Sequence, residues 1–232
     1  MYVYKHVGSQ VSFADTLQPE ITSRLASMRS ATGSLKQSFF VGSHPPKVKA
    51  KIMQAVLLSK GLYNASTWPA LNEREAHRVH TALFQTFTIC LPKPNTNSDT
   101  GNTTTSKTLL PQAQRTSYKQ VTEQLATPTP DVLLRVLRLR LYARLVAKNR
   151  PGLYDALVRG LPARRSWLAA DHDDLTCFAR QTNVWNDHVD APLQVWRNCV
   201  ANAPREFTNK LKQASRHPKL AQRYWELSAP QA

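Results

Sequence analysis

Acidic side chains are scarce in this chain. Against 31 Lys and Arg stand only 15 Asp and Glu, which leaves a formal net charge of +16 at pH 7 and an isoelectric point near 10.2. A field of that size attracts polyanions. Nucleic acid is the usual reason, because phosphate neutralisation supplies most non-specific affinity, and an anionic membrane surface is the competing target. The plain alternative is that ribosome-rich or nuclear compartments tolerate basic proteins. Cysteine is also rare: Cys90, Cys177 and Cys199 are widely spaced and odd in number, which fits neither a disulfide framework nor a zinc pattern. Seven Gly are too few for a phosphate-binding loop, and no Gly-x-Ser-x-Gly nucleophile motif occurs. No stretch reaches the roughly 18 apolar residues of a membrane span, and the N-terminus lacks a charged region followed by an apolar run. An intracellular, reducing location with no membrane partner is the expectation, nuclear or cytoplasmic being open.

What is present points to a folded body. Hydrophobic residues at 41%, five Trp and a charged fraction of 20% belong to a globular chain rather than a disordered one. The length of 232 residues allows one or two domains. With few Gly and 15 Pro, the expected fold is mainly α, its helices interrupted at prolines.

Period-two patterning over residues 2 to 13, "YVYKHVGSQVSF", sets Val3, Lys5, Val7, Ser9 and Val11 against Tyr2, Tyr4, His6 and Gly8, and predicts an N-terminal β-hairpin turning at Gly8-Ser9. From Pro19 the period lengthens. Ile21, Leu25, Met28, Thr32, Leu35 and Phe39 predict a helix, with Pro19 and Glu20 suited to its first turn. A second helix follows the double proline, with Val48, Ile52, Val56 and Ser59 on one face and Lys47, Lys51 and Gln54 on another. Gly61 or Asn64 interrupts it. A third, over about Glu73 to Cys90, turns Val79, Leu83, Phe84 and Phe87 inward. This thumb-like helical unit with its hairpin spans 1–91. The tract 92–117 carries "PKPNTNSDTGNTTTSK", with no large apolar residue, and is expected to be a disordered linker. A second helical unit over 118–232 opens with "PDVLLRVLRLRLYARLVAKNRPG". Asp131 is placed to cap that helix, and its apolar residues fall almost all round, so neighbours are expected on several sides. Arg140, Arg144 and Lys148 align at four-residue steps, and Arg135 and Arg138 form a second short basic stripe. Further helices are expected at 152–160, 164–181, 190–201 and 204–227. Trp167, Phe178, Trp185, Trp196, Phe207, Tyr224 and Trp225 supply their core.

The stretch "KHVGSQVSFADTLQPEITSRL" resembles the segment that follows the catalytic palm in non-LTR (LINE-like) retrotransposon reverse transcriptases. There Lys-Tyr-Leu-Gly leads into a short hairpin and then an acidic-Ile-x-x-Arg-Ile helix; Lys5, Val7, Gly8, Glu20, Ile21, Arg24 and Leu25 match. His6 stands where the family has Tyr, and Val7 where it has Leu. "KAKIMQAVLLSKGLYNASTWPAL" is similar to the helix that ends in Leu-Leu-Tyr-x-x-x-Thr-Trp, with Leu62, Tyr63, Asn64, Thr67 and Trp68 in register. "LLRVLRLRLYARLVAK" with "RSWLAADHDDL" looks like the region after the thumb. The likeness covers roughly 4–90 well and 130–230 loosely. It implies that the hairpin is the primer grip and that the helices from Pro19 to Cys90 are the thumb, which tracks the template-primer duplex by its backbone. Lys5, His6, Gly8, Arg24, Arg29, Lys47, Lys49, Lys51 and Lys60 would then face nucleic acid, with Arg135, Arg138, Arg140 and Arg144 of the later helix. For any single lysine among these, an ordinary solvated helix face is the competing reading.

The family's polymerase chemistry needs paired aspartates on a tight hairpin between apolar strands, holding two Mg²⁺ ions. The adjacent pair here, Asp173-Asp174, lies after the thumb without flanking strands, and is read as carboxylates in the first turn of a helix. No catalytic residue, metal site or cofactor is assigned; Mg²⁺ would belong only to a complete parent enzyme. Glu73, His77 and His80, and the cluster Asp187, His188 and Asp190, are short of the three or four strong ligands of a zinc site. Three functions stay open. The chain is a catalytically incomplete C-terminal fragment of a retrotransposon-type RNA-directed DNA polymerase that binds RNA, DNA or a hybrid, with a separate or upstream palm as partner. Otherwise it is an independent basic helical nucleic-acid-binding protein derived from such an element, or a small enzyme or metal-dependent nuclease using the Asp171 to Asp174 cluster.

Overall fold

The computed structural model describes residues 3–6, 9–12, 16–91, 118–148, 166–182 and 185–216. These are mainly helical, as the period of the apolar residues predicts.

Helix α1 (Gln18–Leu35) starts where Pro19 supplies a preset φ and Glu20 faces the positive end of the helix dipole. No Gly or Pro stops it at Leu35. The backbone instead widens into a π-type segment, Lys36–Phe40, closed by the Val41 N–H donating to the Lys36 carbonyl at 2.9 Å. The wider turn buries Phe40, leaving Phe39 edge-on to it and stacked on His44 at 4.6 Å. Helix α2 (Pro46–Ile52) takes Pro46 as its first residue, passes through a second π-type segment, Met53–Leu58, and ends over Ser59–Gly61.

The face that α2 buries differs from the expected one. Val48 and Ser59 are exposed and Ile52 and Val56 only half-buried, whereas Ala50, Met53, Leu57 and Leu58 enter the core. Ala50, Met53 and Leu57 themselves follow three- and four-residue steps, so the helical period holds and packing against the first core selects between two neighbouring apolar faces. Gly61 closes the helix against α1: a Cβ built there would lie 2.6 Å from Met28 Sδ. Asn64 then adopts φ 59°, a left-handed turn that Asn tolerates, and leads into a 3₁₀ turn at Ala65–Thr67. Helix α3 (Glu73–Thr88) is opened by a capping box. The Asn72 side chain accepts from the Glu75 N–H at 2.8 Å, and the Glu75 carboxylate accepts from the Asn72 N–H at 2.9 Å. Its inward face carries Val79, Leu83 and Phe87.

These helices enclose a first core centred on Ile21, Met28, Met53, Leu57, Trp68 and Leu83, and α4 (Tyr118–Leu125) adds Val121 and Leu125 to it. Helix α5 (Pro130–Ala147) borders both halves of the molecule. Leu134 joins the first core, while Val132, Val136, Leu139, Tyr142 and Val146 form a second core with α6 (Trp167–Thr182), α7 (Leu193–Asn202) and α8 (Pro204–Arg216). The expectation that this helix is surrounded agrees with that burial. In the second core Trp185 stacks on Phe207 at 5.0 Å and meets Trp196 edge-on at 6.0 Å. Two polar contacts tie the halves together: Trp167 Nε1 donates to the Ser66 carbonyl at 2.6 Å, and His80 Nε2 lies 3.0 Å from Asp131 Oδ1.

Asp131 therefore does not cap α5. Thr129 is the N-cap, its side chain makes no capping bond, and Asp131 sits inside the first turn, drawn toward His80. At the N-terminus two short strands, β1 (Val3–His6) and β2 (Ser9–Ser12), pair antiparallel with Val3 opposite Ser12. Residues 7–8, which connect them, lie outside the described residues, so the β-hairpin as an element of the fold is not supported beyond this short ladder. The expected linker at 92–117, the expected helix at 152–160, and the part of the expected 204–227 helix beyond Arg216 also lie outside the described residues, as do Tyr224 and Trp225.

Candidate nucleic-acid interface

From Ile21 to Asn72 the chain contains no acidic residue. This stretch forms most of α1 and all of α2, so every ionised side chain on those helices beyond Glu20 is a cation. Arg29, Lys47, Lys51 and Lys60 are exposed, and Lys36 stands exposed at the end of α1. No ion pair involving any of them occurs among the described residues. Lys47 and Lys51 are one turn apart on α2, a spacing that presents two ammonium groups side by side.

Two cations expected on this surface are held inside. Lys49 is 7% exposed, and its Nζ donates to the Phe40 carbonyl at 2.7 Å. Lys49 thus satisfies an acceptor at the end of the π-type segment. It also lies near Cys90, whose buried thiol is pushed up to about 12 by burial, with Lys49 drawing it back. Arg24 donates through Nε to Glu20 at 2.7 Å and lies over the Tyr63 ring at 4.5 Å, with most of its side chain covered. Lys5 and His6 fall on β1, where only the backbone is described, and Gly8 lies outside the described residues.

The basic stripes on α5 divide in the same way. Arg138 is buried and grips Asp174 with two bonds, Nε to Oδ2 at 2.6 Å and an amino group to Oδ1 at 3.1 Å. Arg135 approaches the same Oδ1 at 3.4 Å. Asp174 is well inside α6 rather than in its first turn, so helix capping does not explain it. Burial pushes the Asp174 carboxyl up, and the two guanidinium groups hold it back. A charged pair of this kind closes α5 onto α6 and leaves Arg135 and Arg138 committed to protein. Arg144 and Lys148 are exposed, while Arg140 is partly covered at the wall of a groove.

The other acidic residues of α6 do not gather a metal site. Asp173 is exposed, His172 Nε2 lies 3.0 Å from the Ala191 carbonyl, and Asp171 is fully buried with neither carboxylate oxygen hydrogen-bonded. Burial, and then the neighbouring Asp174, raise Asp171 well above the usual carboxylate range. His80 is engaged by Asp131, and Asp190 by Arg180 at 2.8 Å. Among the described residues no group of three potential ligands converges.

Comparison with known proteins returns no matching family model, no matching curated protein and no matching solved structure. Among the described residues no helix is long and apolar enough to cross a membrane. What these helices offer chemically is a set of solvated point charges on a segment of chain without acidic residues. The signal for it was in the primary structure, as the gap between Glu20 and Glu73. The internal roles of Lys49, Arg135 and Arg138 were not legible there, because each depends on a partner far along the chain or on the π-type backbone.

Proposed function

We propose that this chain binds nucleic acid through the phosphate backbone, as a thumb-like helical region of a retrotransposon-type reverse transcriptase that carries out no nucleotidyl transfer by itself. The observation that supports it is the run from Ile21 to Asn72 without an acidic residue, in which Arg29, Lys47, Lys51 and Lys60 are exposed and make no ion pair among the described residues. Such charges bind by releasing counterions from phosphates and read no sequence. Arg144 and Lys148 extend the set onto α5, while Lys49, Arg135 and Arg138 contribute by holding the helices in place. In this reading the paired strands Val3–His6 and Ser9–Ser12 stand where the resembled family has its primer grip. The bond from Asn64 Nδ2 to Ser9 Oγ at 2.5 Å supports docking of that segment at the end of α2. Mg²⁺ and the paired aspartates would come from a palm, upstream or separate.

The test is binding of the purified chain to an RNA/DNA hybrid, duplex DNA and single-stranded RNA over a salt series. Affinity is expected to fall steeply with salt and to favour the hybrid. The triple variant Lys47→Glu, Lys51→Glu, Lys60→Glu is expected to weaken all three ligands alike and to flatten the salt slope by roughly one unit for each phosphate no longer neutralised. Unchanged slope and affinity in that variant would remove α2 from the interface. Binding by the unaltered chain that is no tighter than to heparin would leave the charge without a nucleic-acid role.

A further inference from the structure

Between the end of α2 and the middle of α5 lies a groove of about 310 Å³. That is the lower end of the size range of small-molecule sites. Leu58 and Leu62 form one wall, and Leu133, Val136 and Leu137 the other. Gln54, Ser59 and Arg140 are the polar side chains that line it. Arg140 is unlike the other arginines of α5 that the structure accounts for: its Nε–H is buried and donates to nothing. Burial, and then the like charge of Arg144 one turn further along the same helix, lower its pKa. Of the carboxylates near this helix, Asp174 is engaged by Arg138 and Arg135 and Asp131 by His80, and Asp171 is buried in the second core with no bond to Arg140. The Nε–H is closed off from the groove as well as from protein acceptors, so an anion in the groove would meet the terminal amino groups, where it offsets the cost of a part-buried guanidinium beside a like charge. The aliphatic walls beside it have no aromatic ring on which a base would stack, and favour a hydrocarbon chain.

We infer that the groove between α2 and α5 binds an amphiphilic monoanion, an aliphatic carboxylate whose chain lies along the leucines and whose headgroup is held by Arg140. The site is distinct from the exposed lysines of α2 and does not depend on the nucleic-acid reading.

Calorimetric titration of the full chain with sodium decanoate, at monomeric concentrations of the probe, tests it against decanol, which has the same chain and no charge. Saturable one-to-one binding of decanoate is expected, with decanol about 10- to 100-fold weaker, the range that a charge-assisted hydrogen bond supplies. Arg140→Gln is expected to bring decanoate down to the decanol level, and Leu137→Trp, which fills the groove, to abolish both. Circular dichroism establishes that each variant keeps its helices; where one does not, the decanoate and decanol comparison on the unaltered chain decides alone. Equal binding of the two probes, or full decanoate affinity in a folded Arg140→Gln or Leu137→Trp chain, overturns the inference. Displacement of decanoate by a short thymidine oligonucleotide in an Arg140-dependent manner would overturn it as well, making the groove a nucleotide slot.

Discussion

Asp171 is the side chain whose surroundings oppose its charge most strongly. It is fully buried, neither oxygen has a hydrogen bond, and its nearest charged neighbours include another carboxylate, Asp174. Such a group persists as the neutral acid. Its folded pKa is raised, so the folded state holds a proton that the unfolded chain releases near pH 4. The stability associated with that proton is fully present below the unfolded pKa and is lost as pH rises through the folded pKa. Asp171→Leu removes the linkage together with a buried polar group that has no partner. Urea unfolding from pH 5 to pH 8 should show the variant's advantage growing with pH, to about 1–3 kcal/mol. A constant difference across that range would mean that Asp171 is ionised and stabilised in a way the geometry does not provide. Arg138 makes the complementary case. On sequence alone it belonged to a basic stripe, and only the fold brings it to Asp174, 36 positions further on. Short-range spacing places residues on helix faces, but the pairing of distant charges depends on how two helices meet.

At the level of the element, local chemistry was legible and backbone irregularity was not. Pro19, Pro46 and the Asn72–Glu75 box each start a helix for reasons carried by neighbouring residues. Gly61 and Asn64 end α2 for the same kind of reason. The two π-type segments have no such mark. They carry Phe40, Met53 and Leu57 in the first core, and such burial is a tertiary matter that neighbouring residues do not mark. Lys49 shows what regular spacing does carry: two residues from both Lys47 and Lys51, it falls on the opposite side of α2 and turns inward. Gly61 allows α1 and the end of α2 to touch. Gly61→Ala places a methyl group 2.6 Å from Met28 Sδ and 3.3 Å from Met28 Cβ, so the Met28 side chain must leave its place or α1 must move away. Denaturant unfolding is expected to show a loss of about 1–3 kcal/mol, typical of an overpacked interface, despite the better helix propensity of alanine. A neutral or stabilising result would show that Met28 moves aside freely.

For the whole molecule, the main consequence follows from α5. It gives Leu134 to the first core and most of its other apolar residues to the second, so neither core is complete without it. The Trp167 bond to Ser66 and the His80 contact with Asp131 reinforce that junction. The sequence suggested two helical units but could not show that they share a helix. Cys90 makes the sharing observable. Its thiol is fully buried in the first core and held near pKa 12, so in the closed molecule it is neither reachable nor reactive. Phe207→Ala, in the second core and far from Cys90 in sequence, removes a ring stacked on Trp185 and should destabilise that core by about 3–5 kcal/mol. If α5 links the two cores, Cys90 modification by a thiol reagent accelerates in this variant, about tenfold for each 1.4 kcal/mol transmitted. An unchanged rate would mean that the cores open separately. Cys90 is thus a clock for the opening of the molecule: each alkylation records one excursion in which the helix common to both cores let go.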